Sequence, residues 1–138
     1  MITFNSFTNF DFKNKLRYKK WLSSVIDYEN FKEGALNFIF CDDLYLHGLN
    51  LKFLNHDTLT DILTFDYNKG NEVNAEIYIS HERVAENAKK FKISFSEELA
   101  RVLVHGVLHL CGYRDSTNLE KKEIRQKEDF YLSKLFNQ

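Results

Sequence analysis

An apolar segment with helical periodicity, from Phe95 to Cys111, constrains this sequence more than any other feature. Ser94 and Glu97 have the S-x-x-E spacing of a capping box, which marks the start of a helix. At about 100° per residue, one face of this helix is formed by Leu99, Leu103, Val107 and Leu110. Because so apolar a face is stable only when other elements cover it, the segment predicts a packed core.

A second face of the same predicted helix carries two histidines. This face is formed by Glu98, Arg101, His105 and His109. Histidines four residues apart have Cβ atoms roughly 5–6 Å apart, so both imidazoles can bind one ion with bonds of about 2.0–2.1 Å. A lone H-x-x-x-H pair also occurs as a structural pair, and the spacing alone leaves that interpretation open.

A glycine and an aspartate after the helix favour the metal interpretation. Gly112 follows His109 by three residues, where a left-handed residue can end a helix and reverse the chain. The reversal would bring Asp115 over the histidine pair as an oxygen ligand. We therefore predict one zinc ion on His105, His109 and Asp115, with its fourth position open to water. Nickel or manganese would also suit these ligands.

The residue between the histidines argues against a standard metalloprotease. The zincin motif H-E-x-x-H has its general base directly after the first histidine. In this chain that position is Gly106. Hydrolysis of peptides therefore stays a weaker alternative, and water activated by a metal would need another proton acceptor.

Length and composition predict one domain over residues 1–138. A hydrophobic fraction of 43% is enough for a core, and the chain has no proline and no Gly/Ser-rich stretch that would mark a linker. With a net charge of -1, contact with nucleic acid would need a local patch. Basic residues gather at positions 13–20, but a solvated helix face is the favoured interpretation there, with Trp21 in the core.

The cysteines and the apolar runs bear on the expected compartment. Cys41 and Cys111 have no CxxC spacing, and we expect both to be small buried side chains rather than a disulfide or zinc ligands. No apolar run approaches the ~20 residues that span a bilayer, and no signal peptide opens the sequence. These features predict a cytoplasmic protein that does not bind membranes.

Periodicity and turn residues divide the rest of the chain into short elements. Strands are predicted at 1–4, 36–41, 62–65 and 77–79, and the turn chemistry of residues 68–71 makes the last two strands an antiparallel hairpin. Helices are predicted at about 14–27, 44–53, 81–91, 95–111 and 119–135. Asp42 or Asp43 is expected to cap the second helix, and Ser80 the third.

The string His105-Gly106-Val107-Leu108-His109-Leu110-Cys111-Gly112-Tyr113 closely resembles a motif of the YbeY family of bacterial rRNA maturation factors, which are metal-dependent single-strand endoribonucleases. The family form is H-G-x-L-H-x-x-G-Y-D-H, with three histidine ligands. The segments 49–65 and 75–80 also resemble family segments, so the resemblance covers roughly residues 35 to 135. It implies an α+β fold: a small mixed four-stranded sheet with about five helices, the histidine helix lying centrally over one face.

This sequence departs from the family pattern at three positions. Asp115 stands at the third histidine, and aspartate is an acceptable zinc ligand that leaves the ion less positive. Leu54 stands where the family has an arginine thought to be catalytic, so the resemblance carries no such role over to this chain. Leu59 replaces the proline before Thr60.

Four further polar residues have two interpretations each. His56 is either a catalytic proton carrier or phosphate contact that compensates for Leu54, or a surface histidine. Arg114 is either a phosphate contact or a surface residue. Asp61 and Glu76 serve either strand ends or hydrogen bonds to the metal histidines.

The leading hypothesis is a metal-dependent endoribonuclease that matures the 3′ end of 16S ribosomal RNA and acts in ribosome quality control. Its partners would be ribosomal RNA and, as a further expectation, ribosomal proteins. One alternative is a hydrolase of another substrate such as peptide. The other is a ribosome-assembly binding factor whose metal is mainly structural, an idea that Leu54 in place of the arginine keeps open.

Overall fold

The computed structural model describes residues 1–55 and 59–137. Its strands are β1 (Ile2–Ser6), β2 (Lys32–Cys41), β3 (Ile62–Asp66) and β4 (Glu72–Ser80). Its helices are α1 (Lys15–Tyr28), α2 (Asp43–Leu54), α3 (His81–Phe91), α4 (Phe95–Leu110) and α5 (Asn118–Phe136). None of the helices in these two ranges combines the length and the apolar character needed to cross a bilayer.

The four strands form one mixed sheet in the order β1-β2-β4-β3. β2 pairs in parallel with β1 and with β4, whereas β3 and β4 form an antiparallel pair. The α+β class and the hairpin are therefore as predicted, and β1 is an edge strand. β2 and β4 both begin earlier than predicted, since the ladder between them already pairs Lys32 with Glu72, before the apolar residues that indicated the strands.

Helix α4 lies centrally over one face of the sheet and contacts α1, α3 and α5. Its predicted apolar face is buried, with Leu103 and Val107 fully covered. Gly106 faces the sheet, where a Cβ atom would lie 2.9 Å from Cδ1 of Ile62. Glycine thus permits a close approach of α4 to β3. His105 directly precedes this contact in the sequence, and His109 follows it by three residues.

The other face of the sheet is covered by α2, whose Leu46 packs with Cys41 and Leu63. Cys41 is fully buried as predicted, but Cys111 is half-buried because it follows the last turn of α4 at the edge of the core. Trp21 is in the core, and its indole Nε1 donates a hydrogen bond of 2.9 Å to the carbonyl of Tyr131.

Side-chain caps fix the starts of the helices. The Ser94 hydroxyl accepts from the backbone N–H of Glu97 at 3.1 Å, which is one half of the predicted capping box. A complete box begins α5, where Thr117 accepts from the N–H of Glu120 and the Glu120 carboxylate accepts from the N–H of Thr117. The Asp42 carboxylate caps α2 by accepting from Tyr45 N–H at 2.8 Å.

Ser80 connects three elements at one end of the sheet. Its hydroxyl, fully buried, accepts from the N–H of Arg83 at 3.1 Å and donates to Asp43 Oδ1 at 2.6 Å. The Arg83 guanidinium in turn donates to Asp43 Oδ2 at 2.8 Å. One hydroxyl therefore caps α3, ends β4 and holds the first turn of α2.

We predict that Ser80→Ala lowers the free energy of unfolding by about 1–2 kcal/mol, because it removes a helix cap and leaves a partner of a buried network unsatisfied. Urea unfolding of the variant and the parent measures this difference. Ser96→Ala, at an exposed position in the first turn of α4, is the matched control and should change stability by less than about 0.5 kcal/mol. Equal effects of the two substitutions would contradict the assigned role of Ser80.

Candidate metal centre

Three ligand-type atoms converge beside α4. The Nε2 atoms of His105 and His109 lie 3.1 Å apart, and Oδ2 of Asp115 lies 3.3 Å from each of them. A tetrahedral zinc site with bonds of about 2.0–2.1 Å has ligand atoms about 3.3 Å apart. Among the residues that the structure describes, this is the one group of three such side chains close enough to share an ion. The three side chains therefore fit a divalent metal without rearrangement.

The turn after α4 brings Asp115 back toward the histidines. Gly112 has a φ of +100°, the left-handed backbone that its position predicted. Its N–H donates to the carbonyl of His109 at 3.0 Å, and the N–H of Tyr113 donates to the carbonyl of Leu108 at 3.1 Å. These two bonds form a Schellman motif, which satisfies the last carbonyls of the helix and reverses the chain.

Contacts with the Glu29 carboxylate hold the same turn in place. The Tyr113 hydroxyl donates to Glu29 Oε1 at 2.9 Å, and the Tyr131 hydroxyl donates to Glu29 Oε2. The Glu29 carboxylate is 10% exposed, and the Lys127 ammonium lies 3.7 Å from it. The residues that lead to Asp115 are thus tied to the end of α1 and to α5.

Glu128 of α5 holds His105 in orientation. Its buried carboxylate accepts from Nδ1 of His105 at 2.5 Å and from Nη1 of Arg101 at 2.9 Å. Burial lowers the pKa of His105, but the hydrogen bond to Glu128 and the negative charges of Glu128, Asp115 and Asp61 together raise it more, and the net pKa is above the usual value. A proton kept on Nδ1 leaves the lone pair of Nε2 free to bind a metal.

The sequence analysis missed Glu128 and considered Asp61 and Glu76 for this role, with strand ends as the other interpretation of both. Within the described residues, neither Asp61 nor Glu76 is hydrogen-bonded to the histidines: the Asp61 carbonyl accepts from Ser80 N–H at the end of β4, and Glu76 accepts from the Tyr67 hydroxyl. Nδ1 of His105 is instead hydrogen-bonded to Glu128 of α5. The signal was present, since position 128 falls at helical spacing from Ile124, Tyr131 and Leu135, which form the buried face of α5.

Two cavities adjoin each other at His105 and Asp115. A smaller one of about 290 Å³ extends between α4 and α5, and a larger one of about 520 Å³ extends along β3. The walls of both include Asp61, Ile62, His105 and Asp115. The three-residue group therefore lies where the two cavities join, and a bound chain could pass over it.

The remaining predicted site residues lie in different places. Leu54 lines the larger cavity at the end of α2 and brings no charge to it. Arg114 is exposed and lines a separate cavity with Glu29 and Glu120, which supports the surface interpretation. His56, predicted as a catalytic residue, lies outside the described residues.

Glu98, one turn of α4 before Arg101 on the polar face, is 4% exposed and lines the smaller cavity. Burial raises the pKa of its carboxyl to about 7, and the negative charge of Asp61 adds to this, while the positive charges of Arg101 and Arg125 oppose it. The ordinary pKa of a glutamate is about 4.3. Folding therefore favours the protonated form of Glu98.

We predict that Glu98→Gln stabilises the protein at pH 8 relative to pH 5. In the parent, the folded state keeps a proton that the unfolded chain releases, so the contribution of Glu98 falls as the pH rises from about 4.3 to about 7. Removing that charge should raise the unfolding free energy at pH 8, relative to that at pH 5, by on the order of 2 kcal/mol compared with the parent. Urea unfolding at both pH values measures it, and an unchanged pH dependence would contradict the assignment.

Comparison with known proteins decides the family. A family model described as Endoribonuclease YbeY matches residues 3–136. The chain belongs to the YbeY endoribonuclease family. Similar proteins named Endoribonuclease YbeY include one from Flavobacterium johnsoniae, 54% identical over 129 residues, which are 94% of this chain and 93% of that protein. Another from Flavobacterium psychrophilum is 53% identical over 137 residues, or 99% and 97% of the two chains.

The fold agrees with this membership. The solution structure of a Thermotoga maritima protein is 29% identical and matches with a TM-score of 0.70, over 99% of this chain and 90% of that one. The YbeY resemblance predicted from residues 35 to 135 is confirmed and extends over nearly the whole chain. Leu54 and Asp115 are thus features of a YbeY family member.

Proposed function

We propose that this YbeY family member is a zinc-dependent single-strand endoribonuclease that processes ribosomal RNA. One observation carries the proposal: in a chain of an endoribonuclease family, the nitrogen atoms of two histidines and an oxygen of Asp115 come within 3.1–3.3 Å of one another where two cavities join. In this proposal His105, His109 and Asp115 hold the ion, and RNA lies along the two cavities.

The donor set supports zinc and its chemistry. Two imidazoles and one carboxylate leave a tetrahedral ion with one free position. A divalent ion bound there would lower the pKa of water and offset the negative charge that develops on the scissile phosphate. Because Asp115 is an anionic ligand, this site should activate water less strongly than a site with three neutral histidines.

Residues of the chain supply orientation and phosphate binding. Glu128 keeps the proton of His105 on Nδ1 and turns Nε2 toward the site. Lys121 and Arg125 of α5 are exposed and line the smaller cavity, where they can bind RNA phosphates. Arg101 is not free for this task, because its guanidinium is paired with Glu128 and Asp129.

The biological setting follows from the same proposal. Processing of the 3′ end of 16S ribosomal RNA and ribosome quality control would place the protein in the cytoplasm, beside ribosomal proteins. A peptide hydrolase is not favoured, because Gly106 faces the sheet and leaves the position of the zincin base empty of any carboxylate. A purely structural metal is not favoured either, since Asp115 is 44% exposed and the site opens to both cavities.

Replacement of the third ligand tests the proposal. We predict that Asp115→Ala reduces cleavage of a single-stranded RNA at least about 100-fold and lowers the zinc content well below the one ion per chain expected of the parent, because two imidazoles alone bind zinc weakly. Gel assays of RNA cleavage and elemental analysis of protein without a histidine tag measure the two effects. The melting temperature of the metal-free protein should change by less than about 2 °C.

The control is Asp27→Ala, which removes an exposed aspartate from α1 and should leave cleavage and zinc content unchanged. Full RNA cleavage by the Asp115 variant, or a parent protein that binds no zinc even after its addition, would contradict the proposal. Loss of folding together with loss of zinc would indicate the structural role instead.

The hydrogen bond from His105 to Glu128 gives a separate prediction. Glu128→Gln should weaken zinc binding about 10–100-fold, because the neutral amide no longer favours the orientation and basicity of the imidazole. Competition with a chromogenic chelator measures the affinity. Glu123→Gln, at an exposed position of the same helix, should bind zinc like the parent. Equal affinities in all three proteins would show that Glu128 does not support the site.

A further inference from the structure

The smaller cavity contains a carboxylate that the metal centre does not use. Glu98 is nearly fully buried, yet within the described part of the chain its side chain makes no hydrogen bond and no ion pair. A buried carboxylate accepts up to four hydrogen bonds, and leaving it without donors costs free energy. Glu98 therefore lines the cavity without a hydrogen-bond partner among the described residues, and above its pKa of about 7 the ionised carboxylate is available as an acceptor.

The volume of this cavity suits a group of modest size. Its volume of about 290 Å³ is close to the lower end of the roughly 300–1,000 Å³ typical of small-molecule sites. Ile62, Val102 and Ile124 supply apolar walls, and Glu98 supplies the acceptor. The other lining residues are ionisable, among them Arg101 and Arg125. An unstacked nucleobase can use both kinds of contact, because its faces are apolar and its edge carries hydrogen-bonding groups.

A second metal ion is a poorer occupant. Glu98 and Asp61 both line the cavity, but no group of three metal-binding side chains within the described residues includes either of them. The neighbouring positive charges of Arg101 and Arg125 also disfavour a cation near Glu98. A neutral ligand that donates hydrogen bonds satisfies the carboxylate without that repulsion.

We propose that the smaller cavity is a nucleobase subsite that prefers guanine, with the Glu98 carboxylate accepting hydrogen bonds from N1–H and the N2 amino group. Guanine presents these two donors side by side, so they match the two carboxylate oxygens. Uracil presents one N–H between two carbonyl oxygens, and a carboxylate repels these two oxygens. Adenine and cytosine each offer one amino group to Glu98 and should rank between guanine and uracil.

The position of the cavity sets which nucleotide it reads. His105 and Asp115 form part of its wall and are also two of the proposed metal ligands. A base in the cavity would therefore belong to a nucleotide beside the scissile phosphate, with Lys121 and Arg125 near its backbone. This inference rests on the proposed endoribonuclease function and adds a base preference to it.

The test uses labelled hexauridylate and three variants in which one central uridine is replaced by guanosine, adenosine or cytidine. Binding by fluorescence anisotropy and the position and rate of cleavage are measured with the zinc-loaded protein at pH 8, where the Glu98 carboxyl is ionised. We expect the guanosine oligonucleotide to bind and to be cleaved at least about fivefold better than hexauridylate, with cleavage next to the guanosine.

Glu98→Gln keeps the size of the side chain but replaces one acceptor by a donor, so the preference for guanosine should fall below about twofold. Glu86→Gln, at an exposed position of α3, is the control and should keep the parent's preference. Equal binding and cleavage of all four oligonucleotides by the parent would overturn the guanine subsite but leave the endoribonuclease proposal standing. A preference that survives in the Glu98 variant would also overturn it. Failure to bind or cleave any of the four would overturn both proposals.

Discussion

The hydrogen bond between the Glu128 carboxylate and Nδ1 of His105 links the fold of this protein to its candidate metal centre. The carboxylate is buried and also holds Arg101, so α4 and α5 share one network of charges at their interface. Removing one partner while the helices stay packed would leave a buried charge unpaired, which is costly. The same network that packs α5 on α4 therefore fixes the imidazole that faces the site.

The local sequence was sufficient to predict much of the architecture. The apolar face of α4, the turn at Gly112 and the hairpin of β3 and β4 depend on contacts within a few residues, which periodicity and turn chemistry reveal. The starts of β2 and β4 were missed, since their first residues are paired through the backbone alone. The strand order and the parallel pairing of β2 with β1 and β4 depend on contacts distant in sequence. The family resemblance implied a mixed sheet but not this order.

In the candidate site too, some residues were predictable from the local sequence and others were not. His105, His109 and Asp115 lie within eleven positions of one another, and their spacing together with the turn expected at Gly112 suggested a common ion. Glu128 comes from another helix, so its contact with His105 needed the packing angle of α5 to be known. Glu98 looked like one more charge on the polar face of α4, and its burial depends on how α5 covers that face.

We propose that two histidines and Asp115 of this YbeY family member bind one zinc ion at the junction of two cavities. Anomalous diffraction at the zinc absorption edge, on crystals grown with zinc, would locate this ion. We expect one strong peak per chain, about 2.0–2.2 Å from Nε2 of His105, Nε2 of His109 and a carboxylate oxygen of Asp115. A peak that lacks Asp115 as a ligand, or no peak between these side chains, would contradict it.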